Sequence, residues 1–222
     1  MKSFRSAFED TLPIIVGYLP LAVTFGLFAV SQGFHWWWAV LTAMCVYSGA
    51  LEFILVALYT AGASLATVAT ASFFVSFRHI FYGLSVPISP VKPLARPYVI
   101  HALTDETYAL LSSPAAKTFT GARIFWCQLL CHSTWVAGVA VGALAGTYIS
   151  GDLTWLAFTL TAIFVCMSID ALKASSQPWL LGAIALACSL IFLWLTPEYM
   201  MIGSLLTYAC ISLIVGKPND HK

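Results

Sequence analysis

Charge is the scarcest property of this 222-residue chain. Charged residues make up 9% of it and hydrophobic residues 60%, whereas soluble domains average about 25% charged residues. So few charged side chains cannot cover a solvated surface, which excludes a soluble globular domain. The apolar runs have the length of membrane helices and lack the alternation of roughly ten-residue barrel strands. We therefore predict an all-α integral membrane protein with about seven transmembrane helices, some of them broken by proline and glycine.

Several chemical signatures are also missing. The chain has no run of basic residues and a net charge of +1, so we expect no nucleic-acid partner. Cys127, Cys131 and His132 fall near one helical face, but no suitable fourth ligand is nearby, so we expect no metal and no cofactor. The patterns His-Glu-x-x-His and Gly-x-Ser-x-Gly are absent, which argues against an intramembrane enzyme.

The apolar runs place the expected spans. We expect residues 1–11 to form a short polar tail without a cleaved signal peptide, and the spans to follow at 12–30, 39–59, 65–87, 124–148, 153–169, 179–195 and 200–215. Pro13 and Pro20 remove backbone donors from the first span, so it is either kinked or broken where its backbone faces protein or water. The Trp36-Trp37-Trp38 stretch fits an aromatic belt at the membrane surface, with an aromatic ligand cage as the alternative.

Ionisable residues inside the spans are the best functional candidates. Glu52 lies near the middle of the second span, and Arg78 and His79 lie late in the third. A charged side chain at bilayer depth costs about 2.5–3.5 kcal/mol on insertion scales, so each of these residues needs a partner or a use. Glu52 and Arg78 therefore either form a structural ion pair or both serve a substrate.

The longest polar interval runs from 89 to 121 and contains a half-apolar segment, 98–113. Its Thr104-Asp105-Glu106-Thr107 stretch either caps a helix or lies in a re-entrant segment that brings the acids to a pathway. With seven spans the segment does not cross the membrane, and with eight it does. Both arrangements place seven basic residues on one side of the membrane and two on the other. The positive-inside rule therefore predicts a cytoplasmic C-terminus and does not place the N-terminus.

Weak internal similarity relates the two halves. Leu41-Thr42-Ala43 recurs as Leu160-Thr161-Ala162, and the fourth span carries a Gly138-x-x-x-Gly142-x-x-x-Gly146 ridge. We predict a single domain, 1–222, that admits two repeats at 12–88 and 123–196 linked by 89–122. With seven spans these repeats would be inverted. The glycine ridge permits close helix contact, either within the chain or with another subunit.

Four groups of residues stand in a characteristic order along the chain. They are Leu12-Pro13-Ile14 with Tyr18-x-Pro20 and Phe25-Gly26, then Tyr47-Ser48-Gly49-Ala50-x-Glu52-Phe53, Arg78-His79-x-x-Tyr82-Gly83, and Thr104-Asp105-Glu106. With these groups the chain resembles, over nearly its whole length, the AzlC/YgaZ family, the large subunit of bacterial branched-chain amino acid exporters. One position departs from the pattern, because many members carry glutamine where this chain has Glu52.

The resemblance implies efflux of hydrophobic amino acids (valine, leucine and isoleucine, with methionine as a further candidate) through the bacterial inner membrane, with a small AzlD/YgaH-like membrane subunit as partner. We expect Arg78 to pair with the substrate carboxylate and Glu52 to receive its ammonium. Further substrate-site candidates are Ser48, Gly49, Pro20 and Tyr82, with backbone amides freed near Pro20 and Gly49 as extra donors. Proton coupling is expected through Glu52, His79, Asp105 or Glu106.

Two functions of other classes stay open on the sequence. A non-transporting membrane scaffold subunit would give no flux in proteoliposomes even with its partner present. A passive small-solute channel would give flux that does not respond to a proton gradient.

Overall fold

The computed structural model describes residues 2–149 and 177–196, with scattered positions between 158 and 211; the side chains of Lys2, Arg78, Phe81, Leu84 and Ser85 are outside the description. Every regular element in this part is a helix, which confirms the predicted all-α membrane protein. The α-helices are α1 Lys2–Ser31, α2 Trp36–Cys45, α3 Gly49–Thr60, α4 Leu65–Ser76, α5 Arg78–Ser85, α6 Arg96–His101, α7 Asp105–Leu111, α8 Gly121–Gly146 and α9 Pro178–Leu195. The 3-10 turns Pro93–Ala95 and Pro114–Thr118 flank α6 and α7.

Contacts divide the chain into two compact units, 1–160 and 161–222. The second unit contributes α9, which is long and apolar enough to cross a membrane. The predicted spans at 153–169 and 200–215 lie largely outside the described residues and stay predictions. The same holds for the single domain and for the middle of the second repeat.

Helix length separates two kinds of apolar helix. Among the described residues, Ser3–Ser31 of α1, α8 and α9 are long and apolar enough to cross a membrane. By contrast, α2, α3 and α4 have 10, 12 and 12 residues, or about 15–18 Å at 1.5 Å per residue. That is roughly half of a hydrocarbon core of about 30 Å. The second and third predicted spans are therefore not single uninterrupted helices.

The central pair, α1 and α8, runs parallel. Gly138 of α8 faces Ala22 of α1, and Gly146 faces Val30, so positions rise together along both helices. A Cβ on Gly138 would lie 2.6 Å from the Cβ of Ala22, so only glycine permits this approach. The glycine ridge is therefore an internal contact. An inverted repeat would make these two helices antiparallel, so for this pair the inverted relation is wrong.

Both helices begin at an end that we call the basic end. There Arg123 donates to both carboxylate oxygens of Asp10, at 2.7 and 2.8 Å, and the Phe4 ring lies 5.1 Å from that of Trp126. These contacts hold the first turns of α1 against α8, and Ala7 is fully buried. The predicted polar tail at 1–11 is therefore wrong, because α1 already begins at Lys2.

A helical hairpin of α2 and α3 replaces the predicted span at 39–59. The ring of Phe34, which precedes α2, lies 5.0 Å from that of Tyr59 near the end of α3. Gly49, where α3 begins, instead packs under Trp135 near the middle of α8. The chain therefore enters from the end opposite the basic end, turns at 46–48 and returns. This removes one of the predicted crossings.

A crossing formed by α4 and α5 follows the hairpin. The two helices are interrupted at Phe77, and residues 65–85 reach about 31 Å at 1.5 Å per residue. Val86, directly after α5, packs with Ala7 and Ile124 at the basic end. Residues 65–85 therefore run from one end of α1 and α8 to the other, as the third predicted span requires, with a break immediately before Arg78.

A second helical hairpin, α6 and α7, enters from the basic end. Val91 and Phe119, on either side of it, belong to the apolar cluster of that end. Its turn at 102–104 lies deep, with Ala102 in the central cluster that contains Tyr18 and Trp135. The segment 98–113 thus enters and returns without crossing, which agrees with its re-entrant interpretation.

Candidate functional site

The turns of the two hairpins meet midway along α1 and α8. We call residues 46–48 the first tip and residues 102–104 the second tip. His101, just before the second tip, places Nε2 3.4 Å from the carbonyl oxygen of Met44, just before the first. Two short hairpins that meet inside the membrane place helix ends, with their unpaired backbone groups, at mid-depth.

Glu52 ties the first tip to α8. Its side chain is 1% exposed, and both carboxylate oxygens accept from Trp135 Nε1 at 3.2 Å. Oε1 also accepts from the backbone N–H of Ser48 at 3.1 Å. Gly49 lies directly under the indole, where a Cβ would come within 2.8 Å of it. The carboxylate therefore satisfies a backbone N–H at the beginning of α3 and holds the first tip against α8.

Three side chains join α1 to the second tip. The hydroxyls of Tyr18 and Thr104 are 2.5 Å apart, and the Tyr18 hydroxyl donates to Glu106 Oε2 at 2.7 Å. Thr104 also accepts from the Thr107 backbone N–H and forms a capping box with it. The predicted helix cap is confirmed, and it places Glu106 beside Tyr18 at the middle of α1.

Asp105 points toward α5 instead. The hydroxyl of Tyr82 donates to Asp105 Oδ1 at 2.9 Å, and the Tyr82 ring stacks on Tyr108 at 4.2 Å. His79 lies one turn earlier, with Nδ1 3.1 Å from the carbonyl oxygen of Ser76. Two of the sequence-predicted candidates, Tyr82 and Asp105, therefore hold α5 against α7.

Arg78 begins α5 directly after the break at Phe77. Its side chain lies outside the described part of the chain, so its predicted pairing with Glu52 or with a substrate stays a prediction. The described contacts of Glu52 are those to Trp135 and Ser48.

Pro20 does not break α1. The helix continues through it, its side chain is exposed, and its carbonyl oxygen accepts from the Thr24 hydroxyl at 2.8 Å. Because proline lacks an N–H, a continuous helix through Pro20 frees the carbonyl one turn earlier, at Val16, and no amide. The donors expected near Pro20 are therefore absent from this continuous helix.

A polar stripe on α8 completes the site. Gln128, His132 and Trp135 follow one another at helical spacing, and each contacts one of the two hairpins. The Tyr98 hydroxyl lies 3.0 Å from His132 Nδ1, and the Tyr47 ring lies 4.4 Å from the His132 ring. Our sequence reasoning gave these residues no role at the site, although their spacing within an apolar helix was a usable signal.

Three buried polar atoms in this region have no hydrogen-bond partner among the described residues. They are the Tyr47 hydroxyl, Gln128 Oε1 and His132 Nε2. Tyr47 also has a φ of 45°, a left-handed backbone that is uncommon for a residue with a side chain. Unpaired buried polar atoms and strained backbone concentrate where a protein binds something.

The depth of the exposed polar groups indicates what surrounds the tips. Glu106 and His101 are exposed although they lie level with the middle of α1 and α8. Facing lipid there would cost a charged group several kcal/mol, so this side is expected to meet water, solute or protein. The arrangement can hold a small molecule that has charged ends.

Comparison with known sequences places the chain. The sequence profile described as "AzlC protein" matches residues 13–149. A membrane protein of Helicobacter pylori is 36% identical over 98% of this chain and 96% of its own length. The chain belongs to the AzlC family. Inner membrane protein YgaZ of Escherichia coli is 25% identical to this AzlC-family chain, over 98% of the chain and 94% of YgaZ.

One further relative bears a functional name. The branched-chain amino acid transport protein AzlC of Bacillus subtilis is 29% identical over 76% of this AzlC-family chain and 67% of its own length. The region matched by the family profile contains both hairpins and all the site residues described above. No solved structure matches the chain.

Proposed function

We propose that this protein exports hydrophobic amino acids, such as valine, leucine and isoleucine, through the membrane as a secondary transporter. The observation that carries the proposal is the meeting of two hairpin tips, from opposite ends of the first unit, at a buried polar cluster. Broken helices of this kind form the substrate sites of many secondary transporters. The name of the Bacillus subtilis relative supports the substrate class.

The tips offer complementary groups to a zwitterion. An amino acid needs its ammonium and carboxylate satisfied while its aliphatic chain is buried. We assign the ammonium to Glu106, because its carboxylate is exposed beside Tyr18. Glu52 is enclosed and bonded to Trp135 and the Ser48 amide, so we assign it to holding the first tip. Arg78 remains our candidate for the carboxylate.

The basic residues of the first unit support an orientation. Apart from Arg78, the basic residues of the first unit all lie at or beside the basic end; they are Lys2, Arg5, Lys92, Arg96, Lys117 and Arg123. The connections at the other end, 32–35, 61–64 and 147–149, contain no lysine or arginine. By the positive-inside rule, the basic end and the N-terminus lie on the cytoplasmic side of the bacterial inner membrane. The predicted cytoplasmic C-terminus belongs to the second unit and stays a prediction.

The proposal includes a small AzlD/YgaH-like membrane subunit and coupling to protons. The partner rests on the family resemblance, and a hydrophobic protein of about 100 residues that co-purifies with this chain would support it. For coupling, Glu52, His79, Asp105 and Glu106 stay candidates because an ionisable residue within the membrane is a functional candidate by default.

Counterflow in proteoliposomes tests the proposal. The protein, reconstituted with its partner, is loaded with unlabelled valine and given labelled valine outside. Glu106→Gln keeps an acceptor for Tyr18 but removes the charge that would pair with the ammonium. We expect counterflow to fall by about tenfold or more, since a hydrogen bond to a charged group contributes about 1.5–3 kcal/mol. Glu9→Gln, in the exposed pair with Arg5, makes the same chemical change and should leave counterflow intact.

Two outcomes would overturn the proposal. No flux from the natural chain with its partner present would favour a scaffold subunit. Flux without any counterflow overshoot would favour a passive channel. Normal counterflow in Glu106→Gln would refute the assignment of the ammonium to Glu106 while leaving transport itself in place.

A further inference from the structure

His132 occupies an unusual position between the two hairpins. Its Nδ1 is paired with the Tyr98 hydroxyl at 3.0 Å, while its Nε2 is buried without a hydrogen-bond partner among the described residues. An imidazole with one nitrogen held and the other unpaired has a defined ring orientation and one unused site for a proton.

The groups around His132 come from both hairpins. From α6, Tyr98 contacts it directly and the His101 ring lies 5.9 Å away. From the first tip, the Tyr47 ring lies 4.4 Å away. Cys131 precedes it on α8. Trp135 follows one turn later, donates to Glu52 and contacts the Tyr18 ring. Glu106 of α7 is connected through Tyr18.

We propose that His132 carries the coupling proton and that Tyr47 at the first tip responds to its protonation. This inference rests on the proposed transport function. The proton comes from hydronium in the water that reaches the exposed His101: an N–H bond forms at His132 Nε2 as an O–H bond of the hydronium ion breaks and a water molecule leaves. In the reverse step the N–H bond breaks and a water molecule on the other side takes the proton as hydronium.

The contact with Tyr47 links the proton to the hairpin. A protonated His132 has an N–H at Nε2, for which the backbone carbonyls of Ala43 and Met44 beside the ring are acceptors. The buried Tyr47 hydroxyl, unpaired among the described residues, is a further acceptor. Joining Nε2 to that hydroxyl requires a small movement of the first tip, whose backbone is already in a left-handed conformation at Tyr47. Strained positions of this kind occur in elements that change conformation.

The test separates two modes of transport. Counterflow exchanges substrate without net proton movement, whereas uptake driven by an imposed pH gradient requires it. In proteoliposomes with the partner present, we expect His132→Gln to reduce gradient-driven valine transport about tenfold more than it reduces counterflow. His35→Gln, at an exposed position before α2, makes the same substitution and should change neither mode.

A second variant covers the case in which His132→Gln does not fold. Tyr98→Phe removes only the hydroxyl partner of Nδ1, and a bond to charged imidazole is stronger than one to neutral imidazole. The half-maximal pH of gradient-driven transport should therefore move to lower pH. Equal losses in both modes for His132→Gln, or an unmoved pH profile for Tyr98→Phe, would overturn the inference. Absence of counterflow in the natural protein would instead refute the proposed function.

Discussion

At the scale of single residues, the site depends on side chains that satisfy one another inside the membrane. Glu52 would be costly alone at this depth, and the Trp135 indole N–H and the Ser48 amide meet it. The Tyr18 hydroxyl likewise serves both Thr104 and Glu106. Each pair joins a hairpin to one of the two central helices, so the pairs fix where the tips lie.

Trp135→Phe tests the role of Glu52. The substitution removes both the donor to a buried carboxylate and the outer ring atoms that lie over Gly49, so we expect the free energy of unfolding to fall by about 1–3 kcal/mol. The measurement is thermal unfolding in detergent. Trp126→Phe, at the basic end beside Phe4, is the matched control and should change stability less.

A double mutant sharpens that prediction. In Glu52→Gln the amide still accepts from Trp135 but no buried charge remains, so adding Trp135→Phe to it should cost less than in the natural chain. Strictly additive effects would contradict a direct coupling of the two residues.

The sequence was informative about which residues are unusual and silent about their partners. The position of Glu52 within an apolar run identified it as important. Its partner Trp135 lies 83 positions away, and one sequence contains no signal for a contact over that distance. The Thr104 cap was predictable because capping is local.

At the scale of elements, the parallel packing of α1 on α8 is the frame to which both hairpins attach. Gly26 of α1 lies against the α8 backbone, where a Cβ would meet the Val139 carbonyl and the Ala143 amide. Gly142 of α8 lies equally close to the carbonyl of Val23. Such close approach lets dispersion contacts and weak hydrogen bonds hold helices together in lipid.

Gly26→Ala is therefore expected to separate α1 from α8. Overpacking against backbone atoms typically costs about 1–3 kcal/mol, so we expect less folded protein and a lower unfolding temperature in detergent. Gly17→Ala in the same helix has no atom within 4 Å of the added Cβ and should be neutral or slightly stabilising. Equal behaviour of the two variants would contradict the packing.

The hydrophobic pattern of the sequence does not distinguish a helical hairpin from a membrane crossing. An apolar run of span length is the same whether the chain crosses or turns back, so the run at 39–59 was predicted as a crossing. The turn depends on Tyr47 in a left-handed conformation and on the ring contact of Phe34 with Tyr59, which are tertiary features. The segment 98–113 was easier to interpret because Asp105 and Glu106 make a full crossing expensive.

At the scale of the whole molecule, composition and the length of the apolar runs were enough to predict an all-helical membrane protein. The side of the membrane on which the N-terminus lies was not predictable from the sequence. The seven-span and the eight-span arrangements each place seven basic residues on one side and two on the other. The structure of the first unit groups its peripheral basic residues at one end, since one hairpin enters there and the other enters opposite. The proposed orientation therefore rests on the two hairpins.

The sidedness of cysteine labelling tests this topology most directly. Single cysteines at His35 and Ala61, before and after the first hairpin, and at Ser89 and Ala115, around the second, are introduced into a cysteine-free chain and treated with an impermeant maleimide in oriented vesicles. All four positions are exposed. We predict that 35 and 61 react from one side of the membrane and that 89 and 115 react from the other. Labelling of 35 and 61 from opposite sides, as a single crossing at 39–59 requires, would contradict the account.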